Sequence, residues 1–219
     1  MTPINYATKQ IIKPILCFLF FLFLFSCSDK QKLQDGDLLF VAADTGNLSE
    51  AINRVTQTEL ETNYSHVAII EIKSDTIWVW ESEPKQGTRK ILLNDFIREQ
   101  ETEIFHYRLK KEYAKNIEKA WSLAETMKGK PYNFSYKLND TSYYCSEFIY
   151  RLFAQDAIFE LNPMTFINPE TNNFDESWIK HYERLEIEIP EGEFGCNPNG
   201  LAASSKLDYI GKFNFNNIK

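Results

Sequence analysis

Two side chains, Cys145 and His66, have types and settings suited to covalent catalysis. Cys145 stands in Tyr143-Tyr144-Cys145-Ser146-Glu147-Phe148-Ile149-Tyr150. This segment reads as the opening turn of an amphipathic helix whose inward stripe begins at Phe148. A cysteine at a helix N-terminus feels the positive end of the macrodipole, which favours the thiolate. His66 stands in Tyr64-Ser65-His66-Val67-Ala68-Ile69-Ile70, which reads as the start of a buried strand. A histidine on a rigid strand can act as base for such a thiol. The plain reading of Cys145 is a small buried hydrophobe.

The chain has three histidines. His106 also lies on a predicted strand, in Ile104-Phe105-His106-Tyr107-Arg108, and His181 lies in a loop-like, acidic neighbourhood. His66 is the preferred base because it begins its strand just after a polar loop, where a side chain can face a cleft. Glu81 is its candidate orienter. An antiparallel hairpin turning near Ser74-Asp75 sets residue 66 opposite residue 81 and residue 70 opposite residue 77. A carboxylate there can accept Nδ1–H and favour the imidazolium. Glu83 competes for this role, and an exposed strand-end acid is the plain reading of Glu81.

The elements that must hold these groups are legible in outline. Leu38–Ala42, His66–Ile72, Thr76–Glu81 and Ile104–Leu109 read as strands. Leu48–Val55, Glu112–Met127 and Cys145–Ala157 read as helices, and Lys90–Glu99 contains a short helical segment. Gly129 and Pro131 end the second helix, and 130–142 is a polar, aromatic loop. Residues 160–204 read as irregular, with a short strand at Leu185–Ile189, and Tyr209–Phe215 as a closing strand. Strands and helices segregate, which predicts an α+β fold with an antiparallel sheet packed against helices.

Composition narrows the partners. Asp and Glu number 31 against 24 Lys and Arg. Residues 1–26 read as a targeting segment, with Lys9 and Lys13 before the apolar run from Ile15 to Phe25. Removing those two lysines leaves 22 basic against 31 acidic residues, a net charge of about −9. Such a surface disfavours nucleic acid and gains nothing from an anionic bilayer. Leu24-Phe25-Ser26-Cys27 resembles a bacterial lipobox, in which Cys27 becomes the lipidated first residue of the mature protein. That likeness implies a lipoprotein of the bacterial cell envelope, periplasmic or at the cell surface, held to the membrane by its lipid anchor. Residues 27–33 are then a tether and 34–219 one domain.

Of the four cysteines, Cys17 falls in the targeting segment and Cys27 at the anchor. Cys145 and Cys196 remain. No CxxC pair and no His/Cys cluster has metal-ligand spacing, so neither a metal nor another cofactor is expected. In an oxidising compartment a Cys145–Cys196 disulfide is the structural alternative, and it would block the nucleophile.

Three blocks together resemble the permuted papain-like amidases of the YiiX/YaeF type, within the NlpC/P60 superfamily. They are Leu33-Gln34-Asp35-Gly36-Asp37-Leu38-Leu39-Phe40; Ser65-His66-Val67-Ala68-Ile69 with Trp80-Glu81; and Gly129-Lys130-Pro131-Tyr132-Asn133-Phe134 with Tyr144-Cys145-Ser146-Glu147-Phe148. In that family the histidine strand precedes the cysteine helix, as here. The resemblance covers about residues 33–155 well and the tail loosely. It implies a circularly permuted papain-like fold with Cys145, His66 and Glu81 as catalytic residues. It also implies that Tyr132 stands at the oxyanion hole beside the Cys145 backbone N–H. The implied reaction is hydrolysis of an amide, with cell-wall peptides first by analogy. A lipid acyl hydrolase or acyltransferase of the same fold, and a non-catalytic binding module, are the alternatives.

Overall fold

The structure, a computed structural model, describes residues 32–45, 47–115 and 117–214. The targeting segment and Cys27 lie outside the described residues. Strands β1 (Leu38–Ala42), β2 (Tyr64–Lys73), β3 (Thr76–Glu83), β4 (Gly87–Leu92), β5 (Ile104–Leu109) and β10 (Leu207–Lys212) form one sheet in the order β10-β5-β1-β2-β3-β4. All its pairings are antiparallel. Helices α1 (Asn47–Val55), α2 (Leu93–Glu99), α3 (Lys111–Ala114), α4 (Ile117–Met127) and α5 (Cys145–Phe153) follow the chain between and after these strands. The remaining region carries the short strands β6 (Asn162–Pro163), β7 (Ile167–Asn168), β8 (Asn173–Phe174) and β9 (Phe194–Gly195). It also carries helices α6 (Glu176–Leu185) and α7 (Pro198–Ala202).

The central strands are apolar on both faces because both faces are covered. Leu38, Phe40, Val67, Ile69 and Trp80 pack with Phe148, Ile149, Leu152 and Phe153 of α5 and with Ala120 and Ala124 of α4. Residues of the other parity, Leu39, Ala68, Ile70 and Val79, are also fully buried, and Leu93, Phe96 and Ile97 of α2 are buried as well. Strands buried on both faces lose the alternating pattern and read as continuous apolar runs.

Four expectations need correction. The helix read at 112–127 is two helices, α3 ending at Ala114 and α4 starting at Ile117. Strand β4 was hidden within the segment read as loop and helix, because Gly87-Thr88-Arg89-Lys90 is polar. The β2–β3 register places Ile70 against Val79 and Ile69 against Trp80, two residues from the expected one. The extended segment expected at 185–189 is absent. Glu186 takes a left-handed conformation (φ 56°) as the cap of α6, and the Ile187 N–H donates to the Tyr182 carbonyl at 3.3 Å. That is the Schellman closure of a helix, which turns the chain away.

A turn of positive φ joins β4 to the loop after α4. Gly87 has φ 72°, and a Cβ there would stand 2.2 Å from the Lys130 carbonyl oxygen. Glycine alone lets the two backbones approach so closely. The approach is sealed by Thr88 N–H donating to the Lys130 carbonyl and Gly129 N–H donating to the Thr88 carbonyl, both 2.8 Å.

Candidate active site

Cys145 is the first residue of α5, and its N-cap Tyr144 supplies no side-chain acceptor to the helix start. The first-turn amides of a helix point away from its body, so the helix presents N–H groups and a positive dipole end beside the sulfur. Cys145 is 4% exposed, and its Sγ lies 4.0 Å from the Ser65 carbonyl. Ser65 is the extra residue of a β-bulge: Val41 pairs with His66 and Ala42 with Tyr64. Bulges bend a strand and re-aim its side chains. Here the bulge falls directly before His66.

Asn199 of α7, fully buried, pins the strand at this point. Its Oδ1 accepts from the Tyr64 N–H at 2.9 Å and from the Thr62 hydroxyl at 3.0 Å. Its Nδ2 donates to Thr56 Oγ1 at 2.9 Å. A buried amide with its capacity filled from several segments fixes one arrangement of them.

His66 Nε2–H donates to Glu81 Oε2 at 2.6 Å. The nitrogen is therefore Nε2 rather than the expected Nδ1, which leaves Nδ1 as the ring nitrogen not engaged by Glu81. The observed register makes residues 66 and 81 diagonal neighbours on one face, within reach of a long side chain. Glu81 is 1% exposed. Its other oxygen, Oε1, accepts from Arg89 Nε at 2.8 Å and Nη2 at 2.6 Å. Glu83 instead lies 4.0 Å from Arg89 and accepts from the Lys85 N–H at 2.9 Å. The ring of His66 thus rests on Glu81.

Burial pushes the His66 imidazole down, but the neighbouring Cys145 and the Glu81 carboxylate outweigh it and carry it up to about 10. Burial pushes the Glu81 carboxyl up, yet His66 and Arg89 together hold it below the usual carboxylate range. Both effects favour a charged pair. Removing Cys145 takes away one of the two groups that raise His66. In Cys145→Ala the His66 titration midpoint, followed by NMR of the ring protons, is expected to fall from about 10. An unchanged midpoint would show that the sulfur does not sense the imidazole.

Tyr132 is bridged by backbone to Tyr143, and it lines the same hollow as Cys145. Burial, then Tyr136 and Cys145, push its ionisation well above the ordinary tyrosine value, so the hydroxyl keeps its proton and remains a donor. Cys145 and Cys196 are both free thiols, so the disulfide alternative is not formed. Burial pushes the Cys196 thiol up to about 12. The other histidines stand in different surroundings. His106 is 2% exposed and donates to Asp37 Oδ2 at 2.6 Å. His181 lies on α6 rather than in a loop, and its Nε2–H donates to the Phe134 carbonyl at 2.8 Å.

Three residues of this site escaped the sequence reading. Arg89 sits on the unrecognised β4. Tyr136 lies beside Tyr132, with ring centroids 6.5 Å apart, and its φ of 56° follows from the loop's own hydrogen bonding. Asn199 gave no signal, since nothing in its segment marks it from the other asparagines.

Residues 32–211 match the family described as "Permuted papain-like amidase enzyme, YaeF/YiiX, C92 family". The chain belongs to this family. Its α+β fold, an antiparallel sheet packed against helices, is that of a circularly permuted papain-like domain. A relative from Escherichia coli (strain K12), "Uncharacterized protein YiiX", is 26% identical over 183 residues, covering 82% of this chain and 86% of the relative. The crystal structure titled "metalloprotein yiiX" from Escherichia coli O157:H7 shares the fold with a TM-score of 0.66. It is 22% identical, over 82% of this chain and 97% of that one. That protein is described as a metalloprotein. Among the described residues here, no group of three or more His, Cys, Asp and Glu side chains could hold a metal ion. Both oxygens of Glu81 are also committed, one to His66 and one to Arg89. Among the described residues, the side chains around Cys145 and His66 therefore do not fit a metal centre.

Proposed function

We propose that the chain is a cysteine hydrolase of the bacterial cell envelope, tethered by a lipid on Cys27, that cleaves an amide bond through an acyl-enzyme on Cys145. The observation that carries this reading is the His66 imidazole held by Glu81 at 2.6 Å, directly after the bulge residue Ser65 whose carbonyl lies 4.0 Å from Cys145 Sγ. The Cys145 thiolate adds to the substrate carbonyl, and the carbonyl oxygen takes the negative charge. The Cys145 backbone N–H and the Tyr132 hydroxyl donate to that oxygen. The C–N bond then breaks, and the proton of the His66 imidazolium passes to the departing nitrogen. Water attacks the thioester, its proton returns to His66, and the acid product leaves Cys145 as thiolate. Glu81 keeps the ring oriented throughout, and Arg89 keeps Glu81 ionised.

Alkylation of the full-length protein by iodoacetamide, read by peptide mass spectrometry, tests this. Cys145 is expected to label far faster than Cys196, and His66→Ala is expected to slow Cys145 and leave Cys196 unchanged. Equal labelling of the two thiols, or indifference of Cys145 to His66, would reduce Cys145 to an inert core residue.

A further inference from the structure

The loop between α4 and α5 closes on itself. Its neck is backbone: the Asn133 N–H donates to the Tyr143 carbonyl at 3.1 Å, and the Tyr143 N–H donates to the Pro131 carbonyl at 3.2 Å. The neck leans on β3, where the Ser82 hydroxyl donates to the Tyr143 carbonyl at 2.6 Å. Inside the loop, two asparagines each organise one half. Asn133 Oδ1 accepts from the Ser135 N–H at 3.1 Å and from its hydroxyl at 2.7 Å, and Asn133 Nδ2 donates to the Lys137 carbonyl at 2.7 Å. Asn139 Oδ1 accepts from the Thr141 N–H at 2.9 Å and the Ser142 N–H at 2.8 Å. Tyr132 and Tyr136, both on this loop, line the hollow beside Cys145 with residues from as far apart as Ile52 and Leu201, and they also line the hollow beside His66.

One side chain of α5 joins the two halves. Glu147 is fully buried. Its Oε2 accepts from Asn133 Nδ2 at 3.2 Å. Its Oε1 accepts from the Asn139 N–H at 3.4 Å and from Arg151 Nη2 at 3.2 Å, and Arg151 Nη2 also donates to the Asn139 carbonyl at 3.1 Å. Desolvating a carboxylate is costly, and a loop that needed only filling would be served by an apolar side chain of the same size. Burial does lift the Glu147 carboxyl above the usual carboxylate range, against Asn133 and Arg151. Two residues along a helix is about 200° around its axis, so Glu147 leaves the helix on the side away from the sulfur and acts through the loop. We propose that Glu147 is a positioning residue: by holding Asn133 and Asn139 against α5, it fixes the Tyr132 hydroxyl relative to the Cys145 backbone N–H, so that both donors meet the oxyanion formed as Cys145 is acylated. This assignment rests on the Cys145 acyl-enzyme reading and adds the residue that preorganises its oxyanion hole.

Two probes of the same sulfur separate this role from a merely structural one. With 4-nitrophenyl acetate, the Cys145 thiolate adds to the carbonyl carbon, the carbonyl oxygen carries the charge, and the C–O bond breaks to give the thioester and 4-nitrophenolate. Iodoacetamide alkylates the thiolate by direct displacement of iodide, with no oxyanion. In the full-length protein, the ratio of single-turnover acylation rate to alkylation rate is expected to fall at least about tenfold in Glu147→Ala, with alkylation itself unchanged. Glu147→Gln keeps one acceptor oxygen and should recover part of the ratio. In a Tyr132→Phe background, which already lacks the hydroxyl, either substitution should have little further effect. If Glu147→Ala does not fold, Glu147→Gln decides by the same ratio in both backgrounds. A ratio that does not move, equal falls in acylation and alkylation, or losses that simply add to that of Tyr132→Phe would make Glu147 a packing residue and overturn the proposal while the hydrolase stands. Failure of the ester to acylate Cys145 in the wild-type protein would overturn the hydrolase reading and the proposal with it.

Discussion

His66→Ala is expected to slow acylation of Cys145 by an activated ester by about 10²–10⁴-fold, and Cys145→Ala to remove the reaction. The size of the first effect follows from two losses. The thiolate loses its counter-charge, and the tetrahedral intermediate loses the acid that expels its leaving group. A good leaving group such as nitrophenolate needs no proton, so the deficit should be smaller with an ester than with an anilide of the same acid. Glu81→Gln separates orientation from charge. Glutamine can still accept the Nε2–H, but it no longer favours the imidazolium or answers Arg89, which donates twice to Glu81 Oε1. Its deficit should lie between wild type and His66→Ala, with the pH optimum moved downward because the raised His66 value falls. Parallel rate profiles for wild type and His66→Ala would remove His66 from the chemistry.

Asp37→Ala should cost about 3–5 kcal/mol of folding stability. Asp37 stands directly before β1 and is fully buried. Its Oδ1 accepts from Arg108 Nε at 2.7 Å and its Oδ2 from Nη2 at 2.8 Å. Oδ2 also accepts from His106 at 2.6 Å and from the Gln34 N–H at 2.7 Å. Alanine would strip the carboxylate from a guanidinium whose side chain is only 17% exposed and from a buried imidazole. Truncating one member of such a cluster leaves the others desolvated and short of a partner, which is why the cost exceeds that of a surface ion pair. Asp37→Asn keeps an acceptor for the Gln34 N–H and should cost less. Urea unfolding with an unchanged m-value measures this. A loss below about 1 kcal/mol would show that water or local rearrangement replaces the carboxylate. Cys145 alkylation in the surviving folded fraction should be normal, since this cluster sits at the turn before β1 and on β5.

How much of this the amino-acid order disclosed depends on which residues one asks about. Strands β1, β2, β3 and β5 announced themselves through runs of Val, Ile, Leu and Trp; His66 and Glu81 sat at the edges of two of those runs, and Cys145 at the start of a predicted helix. Strand β4 did not, because Arg89 and Lys90 break its apolar pattern and its glycine start reads as loop. Helix α6 was masked by the charged residues around it. Trp178, His181 and Tyr182 recur at helical spacing and are its buried stripe, so that signal was present and outweighed by the surrounding Asn, Pro and Glu. The His66–Glu81 pairing was right in partners and wrong in register and ring nitrogen, because hydrophobic alternation fixes which face a side chain takes but not a shift of two residues. The cavity walls come from segments far apart in the chain, a placement no local pattern encodes.

The scatter of the site along the chain has a bearing on when the protein becomes competent. The imidazole and its carboxylate are synthesised early, on β2 and β3. The thiol follows on α5, and the lining of the hollow beside it includes residues as late as Lys206. A chain being synthesised thus carries the His66–Glu81 pair before Cys145, and Cys145 before the last residues of the hollow beside it. Because the sheet pairs β10 with β5 and β5 with β1, its non-local closure is among the slow steps of folding. The candidate site is therefore expected to assemble late, once the whole sheet has closed.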